Sequence, residues 1–266
     1  MLKRKLTAQS APHEVAHQIN DAGADLVFVD VGLLPEFEKA RSHLKNKLPV
    51  SRVVLLCQPQ DKPAGTPYKA ISEIFASKPL ADAEKFDGAN CMATAWMSYS
   101  SGTTGLPKGV MTSHWNMTSQ LQAANVTYEQ LKSGVDVVLG FLPFSHIYGV
   151  TISLFQPLTF GVPVVVLPRY EEISVLTAIQ KVGSGARSRR NQIAHNAQFR
   201  VTHALLVPPL ILQFVHSKNL DKYDLSSIRN VMCGAAPLST ELCEAFYKRL
   251  PNTVIMQGYG GYQSCK

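Results

Sequence analysis

Short apolar runs bounded by turn residues alternate along this chain with stretches of helical spacing, and that alternation limits the possible folds more than any other feature. The runs fall at residues 25–30 (DLVFVD), 52–57 (RVVLLC), 95–99, 136–141, 162–167, 201–207, 228–232 and 253–256. Helical spacing fills residues 114–125, 146–159, 171–181, 209–217 and 239–250. A further helix is expected over residues 10–22, with Pro12 in a first turn where its missing N–H costs little. Strands alternating with helices predict an α/β fold with mainly parallel sheets flanked by helices. The 266 residues suffice for one large domain or two small ones, and 45% hydrophobic against 17% charged residues excludes disorder as the default.

Several function classes drop out. The longest apolar stretches, residues 135–144 and 201–215, are too short to span a bilayer, and Pro208-Pro209 interrupts the second, so no integral membrane segment is expected. The charged start MLKRKL runs into polar residues 7–13 where a signal peptide needs an apolar stretch. Five cysteines, an odd number without a C-x-x-C pair, argue against both a disulfide framework and a zinc site; no metal site is expected. These features predict an intracellular, reducing location. A net charge of +7 invites a nucleic-acid reading, but no RNP, KH or helix-turn-helix signature accompanies it, so no nucleic-acid partner is expected.

The most informative string is YSSGTTGLPKGV, residues 99–110, directly after a buried strand. Its glycines let the backbone approach a ligand closely. Ser100, Ser101, Thr103 and Thr104 add hydroxyl donors, and Lys108 adds a mobile positive charge. With Gly102 and Gly105 these are the components of a phosphate cradle. It is not a Walker A loop, because Lys108 is followed by Gly109 rather than by Ser or Thr opening a helix. The next residues, 110–114, read as a strand, giving strand–loop–strand. Taken alone, His146 reads as a hydrogen-bonded core or cap residue, the Gly234-Ala235-Ala236-Pro237 string as a tight turn, and Tyr259 as either a stacking platform or a core aromatic.

SSGTTGLPKG resembles the phosphate-binding loop of the adenylate-forming superfamily: acyl-CoA synthetases, 4-coumarate–CoA ligases, luciferases and peptide-synthetase adenylation domains. Three later stretches are similar to further motifs of that superfamily, in the same order: LPFSHIYG at residues 142–149, GAAPL at 234–238 and QGYG at 257–260. The likeness covers most of residues 10–260 and is of the 4-coumarate–CoA ligase type. It implies a partial AMP-binding domain, with ATP, Mg2+ and coenzyme A as cofactors and a small-molecule carboxylic acid as partner. It also implies the reaction: ATP-dependent activation of the acid to acyl-AMP, then transfer to the coenzyme A thiol. By the same resemblance Ser100, Ser101, Gly102, Thr103, Thr104, Gly105 and Lys108 bind phosphate and His146 lines the acyl pocket. Gly234, Ala235, Ala236, Pro237, Gly258 and Tyr259 bind adenine. The family includes peroxisomal members, so the expected location is cytoplasmic or peroxisomal.

The departures carry expectations of their own. After QGYG the family continues to Thr-Glu, whereas this chain reads GYQSCK at residues 261–266, an aberrant tail. The family's ribose-binding Asp and its C-terminal domain with the catalytic Lys have no counterpart here, so no catalytic set is complete. The chain is expected to bind nucleotide without completing thioester formation; the alternative is a non-catalytic nucleotide-binding or interaction protein on the same fold. Residues 182–198 (VGSGARSRRNQIAHNAQ) also lack a counterpart, and joining Lys181 to Phe199 restores a familiar helix-to-strand join. Their codons keep frame, Val codons begin GT, and Gln can end in AG, so the segment reads as a retained intron that the spliced transcript would lack. Without Arg187, Arg189 and Arg190 the net charge falls from +7 to +4.

Overall fold

The computed structural model describes residues 2–3, 11–75, 84–100, 106–127, 131–180 and 200–260. The expectations for Ser101, Gly102, Thr103, Thr104 and Gly105, for the 182–198 segment and for the 261–266 tail therefore lie outside the described residues. The chain forms two compact units, Met1–His114 and Trp115–Lys266.

In the first unit, β1 is Leu2–Lys3, α1 Pro12–Asp21, β2 Val27–Val29, α2 Leu34–Arg41, β3 Val53–Leu55, β4 Lys69–Ala70, β5 Thr94–Ser100 and β6 Lys108–Ser113. Helix α1 starts as expected, with Pro12 in its first turn and the Glu14 carboxylate accepting the Ala11 N–H at 3.0 Å. Strands β2, β3 and β4 form a small parallel sheet in that order. Phe37 of α2 is buried against Val29, Val53 and Leu55 of this sheet, while Val15 and Ala16 of α1 pack on Ala40. A second sheet, β1-β5-β6, is mixed: β1 runs parallel to β5, and β5 and β6 form an antiparallel hairpin. Sequence spacing did not predict α2. It is short, and only Phe37 and Ala40 are buried on it, too few for a helical period to show.

The second unit holds one larger sheet. Its elements are α3 His114–Thr127, which begins at the unit boundary, then β7 Val138–Gly140, α4 Gln156–Thr159, β8 Val164–Val166 and α5 Glu172–Gln180. They continue with β9 His203–Leu206, α6 Pro208–His216, β10 Asn230–Cys233, α7 Thr240–Arg249 and β11 Val254–Gln257. The strands run in the order β11-β10-β9-β7-β8, all parallel. Side chains alternate between two cores. Leu139, Leu206, Val231 and Cys233 face α5, α6 and α7 through Ile179, Phe214 and Phe246. Val138, Leu205 and Met232 face the other way, where Tyr148 and Ile152 cover them. A sheet buried on both faces needs apolar residues at every strand position, which is why these segments read as continuous apolar runs. Each fully buried Leu, Ile, Val or Phe side chain contributes about 1.5–3 kcal/mol.

The helix expected over 146–159 departs from α geometry. Residues Gly149–Phe155 form a wide π-helical turn that runs into α4. Pro157 lacks the N–H that would reach the Ser153 carbonyl, and its ring crowds that carbonyl, so the preceding turn opens. The Thr151 and Ser153 hydroxyls are buried in this turn without partners among the described residues.

Candidate active site

In the five-stranded sheet three motifs that lie far apart in sequence emerge at one edge, the carboxyl ends of the strands. LPFSHIYG follows β7, GAAPL follows β10, and the Gly258-Tyr259-Gly260 string follows β11. In open α/β sheets this edge is where ligands bind. The motifs also touch. Tyr148 donates its hydroxyl to the Met232 carbonyl at 3.0 Å, and its ring lies against Gly234. The Gly258 N–H donates to the Cys233 carbonyl at 2.8 Å, and the Leu238 N–H donates to the Gln257 side-chain oxygen at 3.3 Å.

Local sequence explains each piece. Gly149 is required by space, because a Cβ there would stand 2.3 Å from the Pro143 carbonyl oxygen; the start of the helical segment therefore packs directly on the strand exit. His146 is exposed, and its ring Nδ1 accepts the Tyr148 N–H at 3.2 Å, which fits the cap reading and leaves the ring at the surface. In the GAAP turn Gly234 is buried while Ala235, Ala236 and Pro237 are exposed. Ala235 sits at φ +72°, a left-handed conformation rare for a residue with a Cβ, and strain of this kind collects at ligand sites. The turn ends at α7, where the Ser239 hydroxyl accepts the Leu242 N–H. Tyr259 is fully exposed beyond β11, which overturns the alternative that it is a core aromatic. Cys233, just before the turn, is an inert thiol: burial, and secondarily the neighbouring Cys243, push its pKa up to about 11.

Below the helical segment a small, partly open cavity of about 40 Å³ has walls that include Ile152, Met232 and Met256. Its polar contributions come from Gln156, His203 and Asn230, which sequence reasoning did not single out. Their signal was absent because Gln156 is a lone polar residue in an apolar stretch, while His203 and Asn230 follow Thr202 and Arg229 and read as polar edges of apolar runs. Beside His203, Asp136 is held by the Lys132 N–H at 2.8 Å, the Thr202 hydroxyl at 2.9 Å and the Arg229 guanidinium. Desolvation works to raise the Asp136 pKa. The backbone N–H of Lys132, the Thr202 hydroxyl and the charges of His203 and Arg229 outweigh it, and the carboxyl titrates below its ordinary range.

In the first unit, Ser100 ends β5 and Lys108 opens β6, and the two are paired in register. Strands β5 and β6 thus flank the motif as an antiparallel pair, which agrees with the two strands of the strand–loop–strand expectation. Lys108 is exposed. Tyr99, next to Ser100, is buried, and its hydroxyl donates to the Asp21 carboxylate at 2.8 Å. Burial, then that hydrogen bond and the Asp21 charge, raise the Tyr99 pKa, so the phenol stays neutral at physiological pH.

Among the described residues no group of three or more His, Cys, Asp or Glu side chains could hold a metal ion. Nor is any described helix long and apolar enough to cross a membrane.

Comparison with known proteins agrees with this geometry. The family model described as AMP-binding enzyme matches residues 5–261. The chain belongs to the AMP-binding enzyme family. Among curated relatives of this family member, 4-coumarate–CoA ligase 1 of Oryza sativa subsp. japonica is 34% identical over 94% of the chain and 41% of the relative. Peroxisomal OPC-8:0-CoA ligase 1 of Arabidopsis thaliana is 32% identical over 93% of the chain and 41% of the relative. The chain thus spans about two fifths of the length of these relatives. Among solved structures, the N-terminal domain of FACL13 from Mycobacterium tuberculosis matches in fold, with a TM-score of 0.71 at 19% identity, covering 98% of this chain and 56% of that one.

Proposed function

We propose that this AMP-binding family member is the nucleotide- and acid-binding part of an ATP-dependent acid–CoA ligase. The observation that supports it most is the meeting of LPFSHIYG, GAAPL and QGYG at the carboxyl edge of one parallel sheet. In this reading Tyr259, fully exposed, stacks on adenine beside the Ala235–Pro237 turn. Ser100, Lys108 and the loop between them hold the phosphates of ATP. His146 borders the acid.

The chemistry follows. The carboxylate oxygen attacks the α-phosphorus, the bond to pyrophosphate breaks, and acyl-AMP forms. A coenzyme A thiol then attacks the acyl carbon and AMP leaves. The protein's contribution to the first step is to orient the nucleotide and neutralise its phosphates. The curated relatives named as CoA ligases support this reaction class. Within it, this chain binds the nucleotide.

Calorimetric titration with MgATP and with AMP tests the proposal. The wild-type chain should bind both; Tyr259→Ala should weaken both by about tenfold, the loss of one stacking contact, and Lys108→Ala should weaken MgATP alone. Absence of nucleotide binding, or a Tyr259→Ala variant that binds as wild type, overturns the site.

A further inference from the structure

Helix α1 lies about eighty residues before the β5–β6 hairpin in sequence, yet it touches both sides of the hairpin's cationic end. His17 and Asp21, four residues apart, share one face of that helix. His17 Nε2 stands 2.9 Å from the Pro107 carbonyl oxygen, and since a carbonyl can only accept, the ring carries its proton on Nε2. Pro107 is the residue immediately before Lys108. On the opposing strand the Tyr99 hydroxyl donates to Asp21 at 2.8 Å and lies 3.1 Å from the Gln18 carbonyl. Tyr99 pairs in register with Gly109, the residue immediately after Lys108. Strand and helix come close at Gly109: a Cβ there would come within 2.8 Å of Met97 Sδ and 3.2 Å of Asp21 Oδ2. The His17 ring meets the Tyr99 ring edge-on, with centroids 6.4 Å apart. Lys108 therefore has a fixed backbone on either side and an exposed side chain between.

We propose that His17, Tyr99 and Asp21 are positioning residues for Lys108, forming a clamp from α1 that sets where the ammonium meets the β- and γ-phosphates of a nucleoside triphosphate. A lysine is a point charge on a flexible stem, so the place where its backbone is anchored decides how much freedom is lost when phosphate binds. The inference rests on the phosphate-binding reading of Lys108 and adds the element that prepares it.

The test compares His17→Ala, His17→Gln and Tyr99→Phe with wild type by titration with MgATP and with AMP, and by hydrogen exchange at the amides of Leu106, Lys108, Gly109 and Val110. Loss of one hydrogen bond in the clamp should weaken MgATP by about tenfold and leave AMP within about twofold, because AMP lacks the outer phosphates. His17→Gln keeps an N–H donor and should recover most of the loss. The named amides should exchange faster in His17→Ala and Tyr99→Phe, with no rise elsewhere in the chain. MgATP and AMP affinities falling together would mark a general structural defect and overturn the clamp; unchanged MgATP affinity in both variants would do the same. If the wild-type chain binds neither nucleotide, the phosphate reading fails on its own. In that case exchange decides: wild-type rates at those amides overturn the clamp, and selective acceleration sustains it as a device that fixes the hairpin end.

Discussion

Ala235 is the residue where local conformation and site chemistry collide most visibly. It holds φ +72° in an exposed turn between β10 and α7, next to the buried Gly234. A Cβ in this conformation costs about 1 kcal/mol relative to glycine. Ala235→Gly should therefore raise stability by about 1 kcal/mol, less what glycine loses through its freer unfolded chain, measured by urea unfolding. A fall in stability would show that the methyl group makes contacts worth more than the strain. Residues at this scale were unequally legible. Lys108 and Tyr259 stand inside glycine-rich strings whose composition already points to a ligand. His17 and Asp21 sit in an ordinary amphipathic helix and act through Pro107 and Tyr99, partners about eighty residues away that no local pattern announces. Gln156 was hidden in the same way, a single polar residue in an apolar segment, and Asn230, next to Arg229, read only as the polar edge of an apolar run.

Elements became legible in proportion to how fully they are buried. The central strands β7, β9 and β10 of the larger sheet bury both faces, so their apolar runs stood out. Strands β8 and β11 showed as runs of Val, Ile and Met although Val166 and Val254 are exposed. Ends were trimmed by a residue or two at β7, β8 and β9. The shorter α2 was missed because Phe37 and Ala40 alone enter the core, and the wide turn at Gly149–Phe155 was missed because nothing in helical spacing distinguishes a π turn from an α turn. The hidden helix is nevertheless part of the core. Phe37 is 1% exposed, whereas Phe28 on neighbouring β2 is 47% exposed. Phe37→Ala should cost about 3–5 kcal/mol, transfer and cavity together. Phe28→Ala should cost under about 1 kcal/mol, since most of its ring stays in solvent in the folded protein. Paired denaturant titrations of the two variants check this, and equal losses would refute the burial assignment of α2.

For the molecule as a whole, carboxylates set the response to acid. Glu73, Asp136, Asp224 and Glu241 all titrate below their ordinary range, and three of the four belong to the unit with the five-stranded sheet. For Glu73, backbone and side-chain hydrogen bonds cause the depression, first from Ala70 and then from Lys62. At Asp224 the Ser226 hydroxyl and N–H act first, then Arg200, and at Glu241 the donors are its own N–H and the Ser239 hydroxyl. These three are exposed, so solvent screens their effect. Asp136 is different, with a side chain only 3% exposed and partners on four sides: Lys132, Thr202, His203 and Arg229. Its folded pKa lies below its unfolded value, so its stabilisation is complete above the unfolded pKa, about 4. The stabilisation is then lost as pH falls through the folded value, because the unfolded chain takes up the proton first. Asp136→Asn keeps the shape but removes the charge that pairs with Arg229. At pH 7 it should lower stability by about 1–2 kcal/mol, the loss of charge-assisted hydrogen bonds, because Arg229 is itself 46% exposed and solvent relieves part of the lost pairing. Below the folded pKa the wild-type carboxyl is itself neutral, and the gap between the two proteins should close. Melting temperatures of both proteins measured from pH 7 down to pH 2 check this sign. Curves that stay parallel throughout would mean that Asp136 serves the fold by its shape and hydrogen bonds, not by its charge.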